Sequence, residues 1–196
     1  MHWTDEGYLL SKSNFSENSI IIEAFTLNHG KYSGIVYGGS SRKQKKNFQI
    51  GNKILINFIS KGENRSGYFN IELINPISPF FFDNKKKSAC ILSAATLLRI
   101  LLPERQLNAK IYNSFEKFLN DLKSKDWIKS YILWELALIK DLGFETNSIY
   151  TDFKVNNSSE IRKALLFNKD LLMKNFIVPN KLNFPLYRNI LEKYYN

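Results

Sequence analysis

The chain has 196 residues, 44% of them hydrophobic, enough to fill one large core or two small ones. No run of eighteen apolar residues appears, and Asp5 and Glu6 stand where an export signal would carry its cations, so a cytoplasmic protein that neither enters nor leaves through a membrane is expected. A single cysteine, Cys90, excludes an internal disulfide, and with two histidines, His2 and His29, no Cys/His zinc cluster can be assembled. Against 18 acidic residues the chain sets 28 Lys and Arg, a formal charge of +10 that favours a polyanionic partner through counterion release. Lysine, asparagine and isoleucine are all abundant, however, so part of this charge follows from composition, and its arrangement carries more information than its sum.

The first eighty residues read as strands. Gly7–Ser13, Asn18–Leu27, Lys31–Gly39, Asn52–Ser60 and Gly67–Asn75 are rich in Ile, Val, Tyr and Phe and partly alternate, with turn-forming stretches between them. Five short strands in sequence suit a small closed barrel of the OB (oligonucleotide/oligosaccharide-binding) type or of the SH3-like type, and periodicity does not separate the two. The connection between the third and fourth strands, "YGGSSRKQKKNFQIGN", packs Arg42, Lys43, Lys45 and Lys46 into five positions. It lacks the G-x-x-x-x-G-K-[ST] spacing that would aim backbone N–H groups at a nucleotide phosphate, so it reads as a cationic grip and not a hydrolytic loop.

Aromatic residues flank that connection, and base stacking is the usual source of sequence-tolerant single-strand affinity. Phe48 and Phe58 are assigned to the core. Tyr32 and Tyr37 differ by five positions, so one strand sends them to opposite faces and at most one can meet a ligand. Adjacent in sequence, Asp5 and Glu6 also point apart, which favours a structural role over paired acid–base work. His29, in "NHGK", is expected to be a solvent-exposed turn residue.

Beyond Pro76 and Pro79 the period changes to about 3.6 residues. Helices are predicted over Ser88–Leu102, with Ser88 as N-cap, over Ala109–Ser124, and over Asp126–Phe144 with Gly143 as the C-terminal stop. Residues 146–157 read as loop, and Ser158–Phe176 and Phe184–Asn196 return to helical spacing. Trp127 and Trp134, seven apart, share a stripe assigned to the core. Lys85–Lys87 precede the predicted N-terminus, where cations oppose the helix dipole, and read as a solvated linker. An α+β chain is therefore expected: a strand-rich domain over 1–80 and an all-α domain over 81–196, both net basic. No G-x-S-x-G, H-E-x-x-H or H-x-E…C-x-x-C pattern occurs, so no enzyme, metal or cofactor is expected.

Several separated motifs resemble the RecO family of bacterial recombination mediators. They are Trp3, Asp5, Glu6 and Gly7; Thr26, His29 and Gly30; Gly34, Val36, Gly38, Gly39, Ser41 and Arg42; Gln49, Gly51 and Asn52, with Ile50 in place of a proline; then "LLPER" and "WELALIKDLGF". The resemblance implies an N-terminal OB-fold barrel and a C-terminal helical domain. It also implies single- and double-stranded DNA as ligands, annealing of strands coated by single-strand-binding protein (SSB), and recombinase loading with RecR. It implies no covalent chemistry, and a cytoplasmic, nucleoid-associated place in the cell.

Arg42, Lys43, Lys45 and Lys46, then Lys31, Lys53 and Arg65, are the expected phosphate contacts. The four-cysteine zinc ribbon that many members insert is missing near 145–157. Where members often place an arginine before the aromatic-E-L motif, at the seat of the acidic SSB tail, this chain has Leu133, with Arg99, Arg105 or Lys129 as substitutes. A protein-interaction adaptor with weak DNA affinity and an OB-type RNA-binding protein are the alternative readings.

Overall fold

In the computed structural model, residues 1–39, 47–62, 67–144 and 157–195 are described. The chain divides into two compact units, Met1–Ala109 and Lys110–Asn196. The first is built on five strands, β1 (His2–Ser16), β2 (Ser19–Thr26), β3 (Gly30–Tyr37), β4 (Lys53–Ile59) and β5 (Gly67–Asn75). They close into a barrel in the order β1-β2-β3-β5-β4, with β4 returning to β1. Every pairing is antiparallel except β3 with β5, which run parallel through Gly34–Gly67 and Ile35–Tyr68. That order is the Greek-key closure of an OB fold and settles what periodicity left open.

The barrel interior follows from strand alternation. Trp3, Leu9, Ile20, Ile22, Ala24, Tyr32, Val36, Phe48, Ile54, Ile56, Phe58 and Phe69 form its buried core. Tyr32 turns inward and Tyr37 outward, as their odd spacing requires. β1 is longer at both ends than its apolar pattern indicated. Its first residues alternate around Thr4 and Glu6 and pair with β4, while its last, polar residues pair with β2 after a register shift between Leu9 and Ser11. Backbone pairing, with β4 at one end and with β2 at the other, supports polar residues that burial alone would not hold in a strand.

A 3₁₀ turn, Ser78–Phe81, leads into α1 (Lys85–Leu101). The helix begins three residues before the predicted start. Asn84, not Ser88, is its N-cap, accepting from the Lys87 amide at 3.1 Å, and Ser88 Oγ instead donates to the Phe81 carbonyl at 2.7 Å. Lys85–Lys87 thus form the first turn and not a linker. The Asn84 cap, worth about 1 kcal/mol, offsets their unfavourable position on the dipole, and the Lys87 ammonium lies 5.2 Å from the Phe81 ring centre. α1 packs on β1 and belongs to the barrel unit.

The second unit comprises α2 (Ala109–Asp121), α3 (Trp127–Asp141), α4 (Ser158–Leu172) with a π turn at Met173–Ile177, and α5 (Leu186–Lys193). Phe115 and Phe118 of α2 meet Tyr131 and Trp134 of α3, with Phe118 and Trp134 stacked at 5.4 Å. Gly143 ends α3 with φ +96°, as its position predicted. Asn157 caps α4 by accepting from the Glu160 amide at 2.9 Å. The expected site of the missing ribbon, 145–157, lies outside the described residues except for that cap.

Candidate nucleic-acid interface

The motif residues at the start of β1 and at the β2–β3 turn lock one another. Asp5, 5% exposed, accepts from the Asn28 amide at 2.7 Å, from Asn28 Nδ2 at 2.9 Å, from the Glu6 amide at 2.9 Å and from His29 Nδ1 at 2.9 Å. Burial alone would push its carboxyl up, but the bonds from His29, Asn28 and Glu6 outweigh burial and hold it below the usual carboxylate value. His29 is not the solvated turn residue that was expected. Its ring lies flat on Trp3 at 4.1 Å and 10°, and about a quarter of its side chain is exposed. Gly30 follows at φ +73°, where a Cβ would fall 2.1 Å from the Gln106 carbonyl oxygen, so the turn admits only glycine.

The turn into β4 is fixed in the same way. Gly51, at φ +89°, donates to the Leu9 carbonyl at 2.8 Å, and a Cβ there would meet Ile91 of α1 at 2.4 Å. Asn52 is fully buried; its Oδ1 accepts from the Ile77 and Ser78 amides at 2.9 and 3.0 Å, and its Nδ2 donates to the Asn47 carbonyl at 3.3 Å. One amide side chain therefore ties the end of the β3–β4 connection to the exit from the barrel.

Of the expected phosphate contacts, Arg42, Lys43, Lys45, Lys46 and Arg65 lie outside the described residues. Lys31 is buried, and its ammonium donates to the Arg99 carbonyl at 2.6 Å. That carbonyl is one of the last four of α1, which have no partner within the helix, so Lys31 serves as a C-terminal cap carrying the charge the dipole prefers. Burial drives its pKa below the usual lysine value, against the pull of Glu23 and Glu104. Lys53 reaches Glu6 at 2.9 Å and lies 5.9 Å from the Tyr8 ring centre.

The residues expected to meet a partner are divided. Arg99 approaches Glu23 at 3.6 Å, and Arg105, at φ +59°, donates its amide to the Lys31 carbonyl and sets its guanidinium 5.3 Å from the Tyr32 ring centre. Both belong to the barrel unit. Lys129 is exposed on α3. Four residues on, Leu133 is exposed and lines a groove of about 310 Å³ with Ser114, Lys117, Phe118, Ser130 and Trp134. Lys117, which sequence reasoning passed over, is the lysine of that lining; its place on α2, across from Leu133, has no local sequence signal. Among the described residues no cluster of His, Cys, Asp or Glu is set to hold a metal, and no helix is long and apolar enough to cross a membrane.

The outer surface of the barrel carries one feature of its own. Tyr37, at the end of β3, is 65% exposed and stacks on Tyr68 of β5, with ring centres 5.1 Å apart and planes at 28°. Each ring adjoins in sequence a stretch holding expected phosphate contacts: Arg42 is five residues after Tyr37, and Arg65 three before Tyr68.

Two family models match the chain in tandem, Recombination protein O N terminal over residues 1–80 and Recombination protein O C terminal over 84–149. The chain belongs to the RecO family. Proteins named DNA repair protein RecO are similar to it over about three quarters of its length: 32% identity over 147 residues in a Wolbachia of Drosophila simulans, 34% over 149 in Wolbachia pipientis of Culex pipiens, and 32% over 145 in Ruegeria. In each case 74% of this chain and 60% of the relative are covered, so this RecO-family chain spans well under the full length of the curated relatives it matches. The first model ends before α1, whereas by compactness α1 stays with the barrel.

Proposed function

We propose that the chain is a DNA-binding mediator of recombinational repair that anneals SSB-coated complementary strands and helps RecR to load recombinase. The observation that carries this reading is the place of the cation cluster in a RecO-family barrel. Arg42, Lys43, Lys45 and Lys46 fall in the β3–β4 connection, between outward-facing Tyr37 and the turn fixed by Gly51 and Asn52. Its action is non-covalent: the connection and Arg65 hold phosphates, Lys53 adds charge at the start of β4, and two strands are brought within pairing distance. The second unit offers partner surfaces, with the Leu133 groove as the seat of the acidic SSB tail. The protein works in the cytoplasm, on the nucleoid.

Replacing the four clustered cations with glutamine tests the grip. Affinity should fall for all sequences alike, and the slope of log K against log salt should flatten by roughly 0.7 per lost contact on single-stranded DNA, about three in all. Unchanged affinity and slope would remove the connection from the interface. Acceleration of annealing on SSB-coated strands, measured with and without RecR, tests the mediator role. A preference for RNA at equal salt would instead favour an RNA-binding barrel.

A further inference from the structure

Resting on the DNA-binding reading above, we propose that the paired rings of Tyr37 and Tyr68 form a stacking platform for an unpaired base of single-stranded DNA. The rings lie on the outside of the barrel, apart from the aromatic set that fills it, Trp3, Tyr32, Phe58 and Phe69. Strand register puts Ile21 beside Ile35, Ile35 beside Tyr68, and Tyr68 beside Ile59, so Tyr68 continues an outward apolar row across β2, β3, β5 and β4. Tyr37 stands two residues beyond Ile35 on the same face of β3. It uses one face on Tyr68 and leaves most of its surface to solvent.

The pair is held in place before any ligand arrives. A hydrogen bond between the two hydroxyls raises the Tyr37 pKa above the usual tyrosine value, and the strands fix both backbones. Preorganised aromatic surface of this kind loses little entropy on binding. The apolar row contains no carboxylate. On the same outward face of β2, Glu23 is two residues from Ile21, but it is engaged by Ser11 at 2.5 Å and by Arg99 at 3.6 Å. In sequence, four cations follow Tyr37 within nine positions, and Lys61 and Arg65 precede Tyr68 with Glu63 between them. A π-face flanked in sequence by positive charge matches a strand whose bases are free and whose backbone is anionic. Phosphate contacts alone do not distinguish single strands from duplex. A stacking surface does, because paired bases have no open face, so the platform favours a single strand over a duplex.

The test uses the full chain and a labelled oligothymidine, the same oligomer with abasic positions, and a duplex of equal length. Tyr37→Ala with Tyr68→Ala should weaken oligothymidine binding by roughly tenfold, leave duplex binding and the salt slope unchanged, and erase the advantage of oligothymidine over its abasic form. Tyr37→Phe with Tyr68→Phe keeps the π-faces and should keep that affinity. The thermal midpoint of each variant should match the parent, since both rings are exposed. Undiminished oligothymidine binding by the alanine pair, or equal weakening on single strand and duplex, overturns the platform. If the loop-cation variant keeps its affinity and slope while the alanine pair loses single-strand binding, the cationic grip fails and the platform stands. A parent that binds no DNA overturns both.

Discussion

Arg188 and Glu135 form a fully buried ion pair, with Nε 2.6 Å from Oε1 and neither side chain exposed. The arginine comes from α5 and the glutamate from α3, 53 positions apart. Arg188 Nη2 also donates to the Leu165 carbonyl of α4 at 2.5 Å, and Glu135 accepts from the Tyr131 hydroxyl at 2.6 Å and from Asn168 Nδ2 at 3.1 Å. Burial alone would lower the pKa of the guanidinium, but Glu135 more than offsets it and raises the pKa above the ordinary arginine value. The glutamate of the aromatic-E-L motif is thus the polar knot of the helical unit.

Removing one partner leaves the other charged and dry, which costs about 3–5 kcal/mol, whereas apolar replacement of both is often neutral. Glu135→Leu alone and Arg188→Met alone should each lower the unfolding free energy measured in urea by that order, and the double variant should recover most of the loss. Additive losses in the double variant would mean that the two side chains act independently.

Asp5 gives an acid-side prediction. Its carboxyl is held below the ordinary carboxylate value of 3.8, so the charged form is favoured by the fold. The stability it contributes is complete above the unfolded value and is lost as pH falls through the lower, folded one. Asp5→Ala leaves the Asn28 amide without its acceptor and should cost about 1–3 kcal/mol at neutral pH. The gap between parent and variant, followed by circular dichroism, should narrow below about pH 4. A gap independent of pH would show that shape, not charge, makes the turn.

Much of this architecture was legible in the sequence, and the exceptions share a cause. Strands announced themselves through Ile and Phe at alternating positions, and helices through their 3.6 period. Tyr32 and Tyr37 were separable by spacing alone. The role of His29 was not, because its partners Trp3 and Asp5 are brought to it by closure of the barrel, a contact across more than twenty residues. Lys31 was read by charge as a DNA contact, yet its environment is set by Arg99 of a helix 68 positions away. Composition reports that a lysine is present, and only tertiary structure reports what stands in front of it.

Lys31 can be tested on that distinction. As a buried cap on α1 it should matter to stability: Lys31→Met forfeits a charged hydrogen bond and should cost roughly 1–3 kcal/mol while leaving the salt slope of DNA binding unchanged. Because burial depresses its folded pKa below the ordinary lysine value of 10.5, the folded chain surrenders this proton before the unfolded chain does. Between those two values the parent should therefore gain stability relative to Lys31→Met as pH rises. A flattened salt slope with unaltered stability would return Lys31 to the DNA interface.

The groove between α2 and α3 tests the partner side of the proposal. Leu133 is 39% exposed on its lining, with the Phe118 and Trp134 rings for apolar contact and Lys117 for charge, while Asp121 on the same lining works against an acid. An acidic peptide would find apolar contacts here and only part of the cationic half of a site. Binding of a labelled SSB tail peptide, read by fluorescence anisotropy, should therefore be weak and salt-sensitive. Leu133→Arg adds a charged donor and should tighten it about fivefold or more, in line with the roughly 1–3 kcal/mol of a charge-assisted hydrogen bond. Lys117→Gln should weaken it, and Asp121→Asn should strengthen it, without change in DNA affinity. Indifference of the peptide to all three substitutions would place the tail elsewhere on the chain.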